Sequence, residues 1–381
     1  MEKLEKTKKE KKGIFERIYK SKTARALTFL SFLGISSNLL PKQKHEYQPP
    51  QQKQELIEHQ QELELKELSD KFKIKKEIDK ERNIIHISQL HGAESIAQTQ
   101  EKADIKEIIS NQKDIEELML FLSEEYDISN FYAEGLLEED LKFINTTKEY
   151  INKDNNLPIE KWHKLLNLKN TINTEESKNQ IPDRHRAYLL YLIKTELSKE
   201  TKQLEKYKKE EAPKEYKEMF NQWNQENINP EEIYTNLKKH TEHTSNHPLI
   251  KEDNIYIFGA PAKLYIEGKI NIEAAETIEA NKKAFSPYSD QKTEFTQEEL
   301  KDPEKIKEFQ EILEQRKNEF KNKVNIREDA AIDTIMDNPD SKNQKYIPLI
   351  YGKGHDFKDN IEQHNNKNPD QKIGLIKIVS K

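Results

Sequence analysis

His91 and His355 end two segments of the same design. Each follows an apolar β-like run and sits at a glycine-bearing turn: Asn83-Ile84-Ile85-His86-Ile87-Ser88-Gln89-Leu90-His91-Gly92, and Tyr346-Ile347-Pro348-Leu349-Ile350-Tyr351-Gly352-Lys353-Gly354-His355. A third run, from Ile128, ends in Ala133-Glu134-Gly135, and a fourth β-like stretch closes with Ala274-Ala275-Glu276. In an α/β sheet, polar groups just past the carboxyl ends of strands face the ligand crevice. A histidine held there can take a proton from water, because its ordinary pKa lies near operating pH. A second histidine can serve as acid or metal ligand. A glutamate can orient the imidazole or bind metal, and Arg327 can steady an oxyanion. Each group alone has a plainer reading, as a packed strand-end histidine or a solvated turn glutamate; the case rests on the set. His86 reads as a packing or hydrogen-bonding neighbour, and Tyr132 and Tyr351 as core-edge aromatics.

The elements that must position these groups are legible in outline. The 381 residues suit one α/β domain with extensions, and with only 33% hydrophobic against 35% charged residues the core must concentrate in a few strands. Lys+Arg 64 against Asp+Glu 70 leaves no basic footprint, so no nucleic-acid partner is expected. The absence of cysteine excludes disulfides, thiolate metal sites and a cysteine nucleophile. There is no phosphate-cradling Gly-rich loop and no serine-hydrolase elbow.

The fold class expected is α/β: a mixed, largely parallel sheet flanked by helices, carrying a large helical insertion. Residues 1–40 form a lysine-rich stretch followed by an uncharged apolar run over 26–40, the layout of a secretory signal or a membrane tether. That run is shorter than the roughly 20 residues of a comfortable crossing. Export or tethering to a membrane through 26–40 is the expectation, with a packed helix and a cytoplasmic location as the alternative. Residues 41–82 read as a Gln/Glu/Lys-rich linker running into a solvated helix, and 83–381 as the α/β domain. Within it, apolar residues at helical spacing from Asp104 to Glu125 precede a strand at Ile128 to Ala133, which predicts a parallel strand pair with a right-handed crossover helix. Residues 136–250 read as helical throughout. Short apolar runs punctuated by Gly259 and Gly268 follow, then a charged helix over 302–323. A second helix starts near Arg327, and a strand, helix and strand end the chain.

One rival cluster is His240, His243 and His247. Zinc sites use closely spaced histidines, but Thr244-Ser245-Asn246 and Pro248 favour a loop with solvated histidines.

At the strand-end residues the chain resembles the erythromycin-esterase, ChaN, TraB and Tiki superfamily, whose members share two Gly-x-x-His motifs, a glutamate between them and an arginine before the second. Gly352-Lys353-Gly354-His355 matches the second motif. Ser88-Gln89-Leu90-His91 stands for the first, with serine in place of glycine, and Glu134, Glu276 and Arg327 fit the acidic and basic positions. The resemblance implies an α/β core with substrate over the strand ends. Its members include esterases, metal-dependent peptidases and haem-binding proteins, so fold membership leaves function open.

The leading expectation is a hydrolase acting on an ester or peptide bond of a small-molecule or peptide substrate. His91 and His355 would activate water, directly or through a divalent metal held by His91, His355, Glu134 and Glu276, with Arg327 steadying charge. The alternatives are a haem-type ligand-binding protein using a histidine, Tyr132 or Tyr351 as axial ligand, and a tethered scaffold with a decayed site.

Overall fold

The computed structural model describes residues 72–90, 102–153, 158–207, 210–256, 258–284, 286, 295–296 and 301–381. His91 and the segments 1–40 and 41–71 lie outside them, so the expectations placed there are not addressed by the fold. The chain divides into a sheet unit, formed by the described parts of 52–90, 117–138 and 270–381, and a helical unit, formed by those of 91–116 and 139–269.

The sheet unit holds six strands: β1 (Phe72–Ile78), β2 (Asn83–Gln89), β3 (Asn130–Ala133), β4 (Asn271–Ala274), β5 (Tyr346–Gly352) and β6 (Gly374–Ser380). Their order is β1-β6-β2-β5-β3-β4. Only the β1–β6 pair is antiparallel, so the sheet is the mixed, largely parallel α/β type expected. Every residue of β2 is buried, as are the first six of β5, the signature of central strands covered on both faces.

Three elements differ from expectation for identifiable reasons. First, Phe72–Ile78 is a strand where a linker and solvated helix were expected. Phe72-Lys73-Ile74-Lys75 alternates with the period of a strand, and its lysines suit an edge that pairs on one side only. Second, β2 and β3 are parallel, but β5 lies between them; a local β-helix-β pattern cannot show that a strand more than two hundred residues away takes the central place. Third, the run Ala260-Pro261-Ala262-Lys263-Leu264 is helical, not β-like. Gly259 (φ 100°) precedes this helix and Gly268 closes it in the left-handed conformation at φ 74°, a glycine-dependent helix stop that resembles turn punctuation in sequence.

In chain order the helices are α1 (Lys102–Tyr126), α2 (Glu138–Asn152), α3 (Pro158–Ile172), α4 (Glu175–Gln180), α5 (Asp183–Tyr207), α6 (Lys214–Gln225), α7 (Pro230–Ser245), α8 (Glu252–Ile255), α9 (Ala260–Glu267), α10 (Ile278–Ala284), α11 (Pro303–Asp337) and α12 (Lys358–Lys367). The helical insertion runs to Glu267 and includes α4, a short polar helix without a clear apolar stripe in sequence, and α6, which buries the stripe Tyr216, Met219 and Trp223. The two helices expected around 302–335 are one: Val324-Asn325 contains no breaker, and α11 runs through it.

The core on one side of the sheet combines Ile84, Tyr132, Ile347, Leu349, Tyr351 and Leu375 from the strands with Ala331, Ile332 and Ile335 of α11 and Ile361 of α12. At the start of β6, the Gly374 N–H donates to the Arg82 carbonyl at 2.7 Å. A methyl group added at Gly374 would lie 2.1 Å from Asn83 Oδ1 and 2.6 Å from the Ile78 carbonyl oxygen. Because one of these is backbone, relief requires moving the β1–β2 turn. Gly374→Ala is therefore expected to destabilise the protein by about 1–3 kcal/mol, the range for overpacking. Urea denaturation measures it, and an unchanged midpoint would show that the turn yields freely.

Candidate functional site

Parallel strands in register end at one edge, and this edge gathers the polar groups. Gln89 pairs with Gly352, and Ala133 with both Ile350 and Ala274. The backbone pairing continues past the strands. The Glu134 N–H donates to the Ile350 carbonyl at 2.8 Å, Lys353 N–H to Gln89 at 2.9 Å and Ala275 N–H to Ala133 at 3.3 Å. Glu134, Glu276 and the turn before His355 are thus fixed by main chain. Gly135, at φ 81°, lets the chain turn away directly behind Glu134.

Arg327 on α11 reaches both carboxylates. Its Nε donates to Glu276 Oε2 at 2.9 Å and its Nη2 to Glu276 Oε1 at 2.6 Å, while Nη2 also donates to Glu134 Oε1. The remaining Glu134 oxygen accepts the Gly352 N–H. A side chain at 352 would crowd that carboxylate, since an added Cβ would lie 3.0 Å from Glu134 Oε2. Burial works against the charge on Arg327, but the Glu276 hydrogen bond and the Glu134 charge outweigh it and raise the guanidinium pKa above its ordinary value. Arg327 is thus held inward as a permanent cation, with its Nε and Nη2 already engaged.

His355 is buried beside this cluster. Its Nδ1 lies 3.0 Å from Glu328 Oε1, the same oxygen that accepts the Asp356 N–H at 3.0 Å. With a carboxylate as partner, Nδ1 carries the hydrogen and Nε2 the lone pair. Nε2 lies 3.9 Å from Glu134 Oε1. The Tyr351 ring packs edge-on against the imidazole at 4.6 Å between centroids, and Lys377 Nζ donates to the His355 carbonyl at 3.2 Å. Burial, followed by the charge of Glu276, raises the Tyr351 pKa and keeps the phenol protonated.

Glu328 was missed in sequence because Arg327-Glu328-Asp329 reads as a charged helix surface. A signal was present: Glu328 precedes Ala331, Ile332 and Ile335 at helical spacing, so it continues the buried stripe of α11. A glutamate on such a stripe needs a partner, and His355 with the Asp356 N–H supplies it.

Four of the residues singled out in sequence, Glu134, Glu276, Arg327 and His355, therefore meet at one place, with Tyr351 beside them. His91 is outside the described residues. Tyr132 is directed elsewhere, towards Asn338 and Ser341 beyond the end of α11, and burial, with the charge of Glu273, pushes its pKa up to about 12.

Of the metal ligands expected, Glu134 and Glu276 have all four carboxylate oxygens engaged by Arg327 and Gly352, a donor set that fits a guanidinium rather than a divalent cation. Among the described residues no group of three or more His, Asp or Glu side chains is placed to hold a metal ion. The rival histidine cluster is only partly in a loop, since α7 continues to Ser245 and carries His240 and His243. His240 Nδ1 accepts from Lys169 Nζ at 3.2 Å, so this histidine is committed to α3.

Compared with known proteins, the chain matches no family model, and no curated protein or solved structure is detectably similar to it.

Proposed function

We propose that this protein is a hydrolase in which His355 is the general base for attack of water on an ester or peptide carbonyl. The observation that carries the reading is the buried Glu328–His355 pair at 3.0 Å, at the edge where Glu134, Glu276 and Arg327 converge. Glu328 holds the tautomer and the ring angle, leaving Nε2 to accept a proton from water as its oxygen bonds to the carbonyl carbon. The same proton then passes from Nε2 to the departing alkoxide or amine, completing hydrolysis to acid plus alcohol or amine. Arg327, Glu134 and Glu276 form a rigid floor: two strand ends and a helix are tied by one guanidinium, which keeps the site from spreading as charge develops. The resemblance of Gly352-Lys353-Gly354-His355 to the second Gly-x-x-His motif of the erythromycin-esterase and TraB group supports the same assignment.

The test is hydrolysis of a generic ester and peptide panel by wild type, His355→Ala and Glu328→Gln, with and without chelator. His355→Ala should lower kcat/KM by about 100-fold, the lower end of what a positioned base contributes. Glu328→Gln should shift the pH profile of the reaction as well as its rate. Equal rates in wild type and His355→Ala would remove the assignment.

A further inference from the structure

Helix α11 is 35 residues long, yet its buried residues begin only at Glu328. Over the preceding stretch three large apolar side chains stand in solvent: Ile306 is 37% exposed, Leu313 48% and Phe320 59%. They recur every seven residues, two turns apart, and so form one stripe roughly 20 Å long. A single exposed apolar side chain is ordinary, but a ladder of three on one helix face marks a contact surface. Ile326, also exposed, lies off the stripe by helical spacing.

The charges around the stripe are sorted. Lys317, four residues after Leu313 and three before Phe320, stands within it, and Lys321 and Lys307 follow along the same flank. All three are exposed, the Lys317 and Lys307 side chains at 76% and 78%. Glu314 is the one acid on that flank. By the same spacing Glu304, Glu308 and Glu311 fall on the opposite half of the helix, and Glu319, as far round from Phe320 as Lys307 is from Ile306, lies on the other flank. The ion pairs that Lys307 and Lys317 make, at 3.9 Å to Glu311 and 3.8 Å to Glu314, are long surface contacts that leave the ammonium groups free to reorient.

We propose that this face of α11 lies on an anionic lipid surface, with Ile306, Leu313 and Phe320 entering the acyl boundary and Lys307, Lys317 and Lys321 reaching lipid phosphates. Charge complementarity selects this occupant over a second copy of the chain. The centre of a protein–protein seam is depleted of charge, whereas a two-fold contact along this stripe would bury Lys317 of both copies. At a bilayer interface the lysine stem lies along apolar surface while its head reaches up to the phosphate layer. The inference stands apart from the hydrolase reading, since no residue of the Arg327–His355 cluster takes part.

The test uses Phe320→Trp in the full chain. Trp162 and Trp223 are buried at 2% and 1% exposure, so the introduced indole is the solvent-exposed emitter. Its emission should shift to the blue with phosphatidylcholine vesicles containing phosphatidylglycerol, and brominated lipid should quench it. Adding Lys317→Glu and Lys321→Glu should weaken the response by at least about 30-fold, from roughly 1 kcal/mol per lysine near an anionic surface. The probe is local, so binding through residues 26–40 alone would leave it unshifted. No shift, an equal shift with phosphatidylcholine alone, or a shift that follows protein concentration without vesicles would each overturn the proposal, the last by identifying a second copy as the occupant.

Discussion

Replacing Arg327 with alanine should destabilise the fold by about 3–5 kcal/mol, the range for removing one partner of a buried ion pair. The side chains of Glu134 and Glu276 are 3% and 2% exposed, and Arg327 is the cation that both share. Without it, Glu276 loses both of its short hydrogen bonds and Glu134 loses the one from Nη2 while keeping the Gly352 N–H. Two like charges would then face each other in a medium that screens them poorly. Arg327→Lys should fall between wild type and alanine, because one ammonium cannot reproduce the planar fork that grips Glu276 through Nε and Nη2. Adding Glu134→Gln and Glu276→Gln to the alanine variant should restore part of the loss by removing the charges left behind. Urea denaturation at neutral pH measures all four proteins. A loss below about 1 kcal/mol in Arg327→Ala, typical of a surface pair, would show that solvent reaches the cluster and that it does not hold the strand ends together.

That cluster was legible in sequence because strand ends carry positional information. A parallel strand must finish at the same edge as its neighbours, so the residue after each apolar run is brought near the others whatever the strand order. Glu134, Glu276 and His355 all follow this rule, and Arg327 fell within reach through its place on the helix before β5. What sequence could not supply was order and partnership. Local pattern says nothing about which strand lies between β2 and β3, and the centrality of β5 is a long-range fact. The strand β1 was hidden by its lysines, which serve an edge by repelling further pairing but resemble a solvated helix in composition. Glu328 was hidden for the opposite reason: Arg327-Glu328-Asp329 is a run of charges that resembles a solvated helix face, although both Arg327 and Glu328 turn inward. The helix Ala260–Glu267 was misread because glycine stops a helix and turns a chain with the same backbone angle.

The acid stability of the protein should depend strongly on His86, a residue that chemistry at the strand ends does not use. It is fully buried in the central strand β2, edge-on to Phe357 at 5.0 Å, and its Nε2 lies 3.4 Å from the Tyr351 carbonyl, to which it donates. Among the described residues its Nδ1 has no hydrogen-bond partner, so a proton added there would be a buried charge without a partner. Burial, and then the positive charge of Lys377, lower its pKa from 6.5 to about 3; His355 adds to the lowering, and the Tyr351 carbonyl and Glu134 oppose it. The sign follows directly. The unfolded chain binds a proton at His86 as pH drops below about 6.5, whereas the folded chain refuses it until about pH 3, so the unfolded state gains across that window. Stability is therefore full above pH 6.5 and should fall by about 3 kcal/mol between pH 7 and pH 4 through this residue alone. His86→Leu removes the titration while keeping an apolar side chain of similar size. Paired carboxylates contribute acid sensitivity equally to both proteins, so the difference between wild type and His86→Leu isolates the histidine. The variant should lose about 3 kcal/mol less than wild type over the same interval, read from urea midpoints at the two pH values. Parallel curves would mean that water or a nearby acid already stabilises the imidazolium inside the sheet, and the strand would then be more open beside His355 than its burial indicates.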